Sequence, residues 1–150
     1  MSKHSEIAKE LFFEGYNCAQ AVFAAFAEEY GMDKAQALKI ASSFGGGMGG
    51  MREVCGAVSG MLMAAGLIFG YDAAGDKAAK SAHYARVREL ADAFRAQNGS
   101  IVCRELLTGA GIQPQTEPSQ RTPQYYKKRP CPELVGLAAE LLDEYIAEHS

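Results

Sequence analysis

Residues 45–71, GGGMGGMREVCGAVSGMLMAAGLIFGY, decide the fold of this chain of 150 residues. The opening run holds Gly45, Gly46, Gly47, Gly49 and Gly50 around Met48. It cannot form a stable helix, because fixing glycine costs more backbone entropy than fixing any other residue. From Val54 to Tyr71 the chain is almost unbrokenly apolar, close to the minimum length of a membrane span. The stretch stands alone, however, and is interrupted by Gly56, Ser59, Gly60, Gly66 and Gly70. A helix from Arg52 to Phe69, buried at the centre of a bundle, accounts for it better than a membrane span.

Outward from this segment, every periodic stretch reads as helix. Ile7, Leu11 and Phe12 give a stripe over Ser5–Glu14, which Gly15 ends. Asn17 caps a second helix, Cys18–Tyr30, with Ala21, Val22, Ala25 and Phe26 on one face and Gly31 after its end. Asp33 caps a third that reaches Phe44. Beyond the central segment a helix spans Asp76–Gln97, a short one runs from Ser100 to Gly109, and one opening at Pro132 carries Leu134, Leu137, Leu141, Leu142 and Tyr145. Residues 110–130 hold Pro114, Pro118, Pro123 and Pro130 and read as a long loop. No run shows sustained period-two alternation, and valine and isoleucine are sparse beside alanine and leucine. The expectation is a single all-α domain over residues 1–150, a compact bundle of about six or seven helices with a Gly-rich loop before a buried central helix.

A domain of this length buries roughly 70% of its unfolded surface, so its core needs no disulfide staples. That frees the four cysteines, Cys18, Cys55, Cys103 and Cys131, for chemistry. The formal net charge is −3, which gives the whole chain no pull on nucleic acid or anionic lipid. The first residues, Met1 to Glu6, are polar and show no signal-peptide architecture. A cytoplasmic setting follows as the expectation, and there thiols stay reduced.

Each cysteine falls at or near a helix start: Cys18 after Asn17, Cys55 after the glycine run, Cys103 just beyond Ser100, and Cys131 before Pro132. Helix N-termini favour thiolate over thiol. Four such thiols, brought together at one end of a bundle, would complete the ligand set of an iron–sulfur cluster or a zinc ion. Spacing alone is weak support, because no Cys-x-x-Cys pair occurs. Gly45, Gly46 and Gly47 would let backbone approach a bulky inorganic group and offer it N–H donors. Gly56 and Gly60, one turn apart, would clear space beside Cys55, or would permit close helix packing.

Other constellations are poorer. The glycine run lacks the Lys-Ser/Thr of a P-loop and does not follow a strand. His4, His83 and His149 have no ligand-like spacing, and Met48, Met51, Met61 and Met63 read as packing residues. The basic run at Lys127-Lys128-Arg129, before Cys131, would either stabilise a thiolate or form a solvated loop, and Arg104 beside Cys103 has the same two readings. No Ser-His-Asp, Cys-His or paired-carboxylate arrangement supports hydrolysis, so no catalytic residue is assigned.

Cys55-Gly56-Ala57-Val58-Ser59-Gly60 reads Cys-Gly-Ala-x-x-Gly, with one cysteine upstream and two downstream. On that motif, and from Asn17-Cys18-Ala19-Gln20-Ala21 through to Cys131-Pro132, the chain resembles the C_GCAxxG_C_C family of redox-active proteins. The resemblance implies a small helical bacterial or archaeal protein that carries a prosthetic group, iron–sulfur in kind. A related domain occurs in split-Soret cytochromes, which pair haem c with an iron–sulfur centre. This chain has no Cys-x-x-Cys-His, so covalent haem is not expected. It also lacks the export signal that some members carry.

The leading expectation is therefore an electron-transfer protein whose Cys18, Cys55, Cys103 and Cys131 hold an iron–sulfur cluster, [2Fe–2S] favoured. It would exchange electrons with a redox partner protein, and a homodimer is compatible with the sequence. The alternatives are a metal-free thiol–disulfide protein and, below it, a zinc-stabilised interaction module.

Overall fold

Ser2 opens the first helix, accepting a hydrogen bond from the Ser5 amide, and α1 runs over Lys3–Phe13 in the computed structural model, which describes residues 2–149. The second helix, α2 (Cys18–Ala27), is fixed by a reciprocal cap in which Asn17 accepts from the Gln20 amide and the Gln20 side chain accepts from the Asn17 amide. It tightens into a 3-10 turn over Glu28–Tyr30 and stops at Gly31, whose φ is +91°. Asp33 caps α3 (Lys34–Ala41), which also ends in a 3-10 turn, Ser42–Phe44. Then come α4 (Gly56–Phe69), α5 (Lys77–Asn98), α6 (Cys103–Gly109), α7 (Pro123–Lys128) and α8 (Cys131–Glu148). The architecture is all-α, as the sequence predicts, and no strand occurs among the described residues.

The main departures from the sequence reading lie around the central helix and in the proline-rich segment. The central helix begins at Gly56 rather than Arg52, because Arg52 is left-handed (φ +60°) and Val54 forms an isolated antiparallel bridge with Val102. The same bridge delays α6 to Cys103, since it holds Val102 extended. Ser100 is drawn into a local turn, accepting from the Val102 amide and donating to Glu105. The proline-rich segment 110–130 is not loop throughout. Thr122 caps α7, and Pro123 takes the first helical position, where its missing N–H costs nothing.

The core is built on α2 and α4, which pack together more extensively than any other pair, with α1 against both α2 and α8. Phe12, Phe26, Met61, Phe94 and Leu142 are fully buried within it. One broad face of α4 is sealed, including Ala57, Val58, Met61, Ala64 and Ala65. Its other residues, Leu62, Met63, Leu67 and Ile68 among them, are half-buried. No helix of the described residues is long and apolar enough to cross a membrane. The α2–α4 contact depends on Gly60, where a Cβ would lie 2.7 Å from the Ala19 carbonyl oxygen and 3.0 Å from Val22 Cβ. On the opposite side, Ser5 is fully buried in the α1–α8 seam and donates from Oγ to the Gly136 carbonyl at 2.8 Å.

Gly60 and Gly66 make a paired test. Gly60→Ala pushes backbone against backbone and is expected to cost about 1–3 kcal/mol. A Cβ at Gly66 meets nothing within 4 Å. Gly66→Ala is therefore expected to be stabilising by about 0.4–1 kcal/mol through lower unfolded-chain entropy. Urea denaturation of both variants checks the opposite signs.

Candidate functional site

All four cysteines stand at helix starts. Cys18, Cys103 and Cys131 are the first residues of α2, α6 and α8, and Cys55 is the N-cap of α4. All four line one cavity of about 450 Å³ at the end of the bundle where these helices begin.

Backbone contacts bring those starts together. The Val54–Val102 bridge is flanked by two hydrogen bonds, Cys55 N–H to the Ile101 carbonyl at 2.7 Å and Cys103 N–H to the Glu53 carbonyl at 2.6 Å. The bridge thus ties two of the cysteines to each other through main chain. Absent side chains do the rest. A Cβ at Gly56 would lie 3.1 Å from Cys18 Cβ. One at Gly47 would lie 2.7 Å from Cys103 Cβ, and one at Gly45 would overlap the Asn17 side chain.

The glycine run forms a left-handed turn, not a right-handed helix. Gly46, Gly47, Met48 and Gly49 have φ of +64°, +67°, +69° and +62°. The turn is closed by hydrogen bonds from Arg52 N–H to the Gly46 carbonyl and from Glu53 N–H to the Gly47 carbonyl. Its glycines supply a conformation that L-residues rarely adopt. Of the glycines singled out in the sequence, Gly45, Gly46, Gly47 and Gly56 line the cavity. Gly60 faces Ala19 and Val22 instead.

The thiols differ in their electrostatics. The pKa of Cys18 is raised well above the usual thiol value by hydrogen bonding to Cys131 and by burial. The same bond lowers the Cys131 pKa to about 7 against the opposing effect of burial, helped by Arg129, Arg121 and Arg52. Burial pushes Cys55 up to about 12, although the Ala57 and Val58 amides at the start of α4 pull the other way. Cys103 is raised by burial, and this is partly offset by Arg52, whose Nη1 donates to Cys103 Sγ at 3.7 Å.

Arg52 and Arg121 carry no sequence signal as site residues, because the contacts that bring them in span 51 and more than 100 positions. Of the basic run before Cys131, Arg129 lines the cavity while Lys127 and Lys128 are exposed. Arg104 pairs with Glu53 at 3.1 Å and with the Arg52 carbonyl, away from the thiols. The histidines also lie elsewhere. His4 bridges Asp143 and Glu29, His83 contacts Arg86, and His149 stacks on Tyr145. Met48 and Met51 are exposed, whereas Met61 is core.

The family model described as "Putative redox-active protein (C_GCAxxG_C_C)" matches residues 16–145. The chain belongs to this family. The match takes in all four cysteines and the whole of the Cys-Gly-Ala-x-x-Gly motif. No curated protein and no solved structure matches the chain. The C_GCAxxG_C_C description is of redox activity, and thiols such as those lining the cavity are capable of it. All four are free cysteines, which can ligate metal, exchange disulfides or remain reduced. As they are placed, no three His, Cys, Asp or Glu side chains among the described residues form a group able to hold a metal ion.

Thiolate is the nucleophile in alkylation, so reactivity rises with pH through each thiol's pKa. In the reduced, metal-free chain Cys131 is expected to be alkylated first, with its rate half-maximal near the value of about 7 to which it is lowered. Cys55, held at about 12, is expected to stay unlabelled at neutral pH. Pulse labelling with iodoacetamide and peptide mass spectrometry reads both. Arg129→Gln should move the Cys131 midpoint upward.

Proposed function

We propose that the protein carries electrons on an iron–sulfur cluster held by Cys18, Cys55, Cys103 and Cys131, with [2Fe–2S] the favoured form. One observation carries this reading: the four cysteines, dispersed over 114 residues of chain from Cys18 to Cys131, all line one cavity. The donor set has the chemistry of such a site, four thiols with cationic and amide neighbours. The sulfurs are not pre-arranged as a closed ligand set, so the helix starts would draw in on binding. A bound cluster supplies one-electron transfer.

The chain's own residues would hold and tune that group. Gly47 and Gly56 leave room for the elements bearing Cys103 and Cys18 to close up. The Arg52 hydrogen bond to Cys103, and the nearby charges of Arg121 and Arg129, favour added negative charge and so would raise the reduction potential. Thr116, Glu117, Pro118 and Ser119 form part of the cavity wall. Such a role implies a redox partner protein, and the free thiols fit a reducing, cytoplasmic setting.

Anaerobic reconstitution followed by iron and sulfide analysis, and EPR of the reduced protein, tests the cluster. The expected result is a coloured protein with about two irons and two sulfides per chain. Each single Cys→Ser variant should lose or destabilise the cluster. A colourless protein without iron after reconstitution would overturn the reading.

The unequal thiols of Cys18 and Cys131, which line the same cavity, favour a second reading, a metal-free dithiol. One thiol ionises readily and its neighbour keeps a proton, an arrangement suited to reversible disulfide formation. In that reaction two thiols become one S–S bond and give up two electrons and two protons to an oxidant. Peptide mapping after mild oxidation would then find a single Cys18–Cys131 bond, with Cys55 and Cys103 still free. A zinc module is the weakest of the three readings, since most zinc sites use at least one close cysteine pair and this chain has no Cys-x-x-Cys.

A further inference from the structure

Arg52, Arg121 and Arg129 all line the thiol cavity, and none forms an ion pair with a carboxylate among the described residues. Their hydrogen bonds go to neutral acceptors. Arg52 donates from Nε to the Gln115 carbonyl at 2.6 Å and from Nη1 to Cys103 Sγ. Arg121 donates to the Phe12 and Tyr16 carbonyls, both at 2.9 Å, and its guanidinium lies 4.2 Å from the Phe12 ring centroid. Arg129 donates to Ser119 Oγ at 2.9 Å and lies 4.8 Å from the Tyr125 ring centroid. Elsewhere Arg95 pairs with Asp92 and Arg104 with Glu53, while Arg86 bonds the neutral partners His83 and Tyr145.

The imbalance is local. The chain as a whole has 18 acidic residues against 15 lysines and arginines, yet the cavity wall has three arginines and a single carboxylate, Glu117. Net positive charge lining a cavity attracts anions, because the low-dielectric surroundings screen it poorly. Guanidinium forks match carboxylates and oxyanions in shape as well as charge. The volume of about 450 Å³ is far more than one ion needs. It lies in the range of about 300–1,000 Å³ usual for small-molecule sites.

We infer that the cavity binds a small anionic molecule, carrying a carboxylate or an inorganic-type oxyanion, beside the thiols, with Arg52 and Arg129 as its principal contacts. The inference rests on the reading of this cavity as the redox site but not on which group the sulfurs hold. Arg121 is mainly a tie between the proline-rich segment and the end of α1, and it adds charge rather than a free fork.

The test is isothermal titration of sulfate and, separately, succinate into the reduced protein at low ionic strength, both metal-free and after cluster reconstitution. Saturable binding of at least one probe at a single site in both forms is expected. Arg129→Gln and Arg52→Gln should each weaken it about tenfold or more, as loss of a charge-assisted hydrogen bond does. Arg104→Gln, outside the cavity, should leave it unchanged. Thermal midpoints of the variants show whether each is folded, and Arg129→Gln alone suffices if Arg52→Gln is not. No saturable binding, or equal loss in Arg104→Gln, overturns the inference. So does binding that vanishes once a cluster is loaded, since the arginines would then serve the cluster's own charge. Sulfate or succinate binding by a protein that takes up no iron sinks the cluster and keeps the anion site.

Discussion

Four helix starts can meet only where no side chain stands between them. That constraint governs the end of the bundle where the cysteines lie. Gly45 and Gly47 occupy positions where a Cβ would collide with Asn17 or Cys103, and a Cβ at Gly56 would press on Cys18. The left-handed turn over residues 46–49 then reverses the chain tightly enough for residues 53–55 to reach residues 101–103. The resulting bridge is only one pair long, yet it brings Cys55 and Cys103 to the same wall. Without the glycines, the convergence of thiols would be lost before any question of chemistry arose.

Helix N-termini do not by themselves make these thiols acidic. At Cys55 two α4 amides lower the pKa, yet burial wins and the group ends near 12. At Cys131 burial is outweighed by a neighbouring thiol that donates a hydrogen bond and by three nearby guanidinium groups. The difference is one of balance. Two amide donors at Cys55 do not offset its burial, whereas at Cys131 a thiol donor and three cationic side chains together do. The cavity therefore holds thiols of unequal character, a condition that both metal uptake and disulfide exchange can use.

The proline-rich segment links the site to the rest of the bundle. Arg121 ties it to the carbonyls of Phe12 in α1 and of Tyr16 just beyond, Arg52 to the Gln115 carbonyl, and Arg129 to Ser119. The same three arginines charge the cavity. Closure of the site and its electrostatic sign are thus set by one group of side chains.

Much of this was legible in the sequence. Asn17 with Gln20, Asp33, and Cys131-Pro132 mark helix starts through local hydrogen bonds and fixed φ, and those contacts lie within a few residues. The all-α class and the helix starts beside Cys18 and Cys131 follow from such local signals, whereas a long-range bridge sets the exact starts at Cys55 and Cys103. The Gly-rich run was read correctly as non-helical, but its left-handed sense and its role in seating Cys103 were not. The Val54–Val102 bridge left no trace, because a single pair produces no alternation. Arg52 and Arg121 were missed because nothing near them in the chain marks them, and Gly60 turned out to serve α2 rather than the cavity. Local sequence determined which residues start helices and which positions no side chain can fill. Only the tertiary structure decided which starts meet, which thiols share a proton and which charges surround them, because those contacts join residues tens of positions apart and depend on packing of the whole bundle.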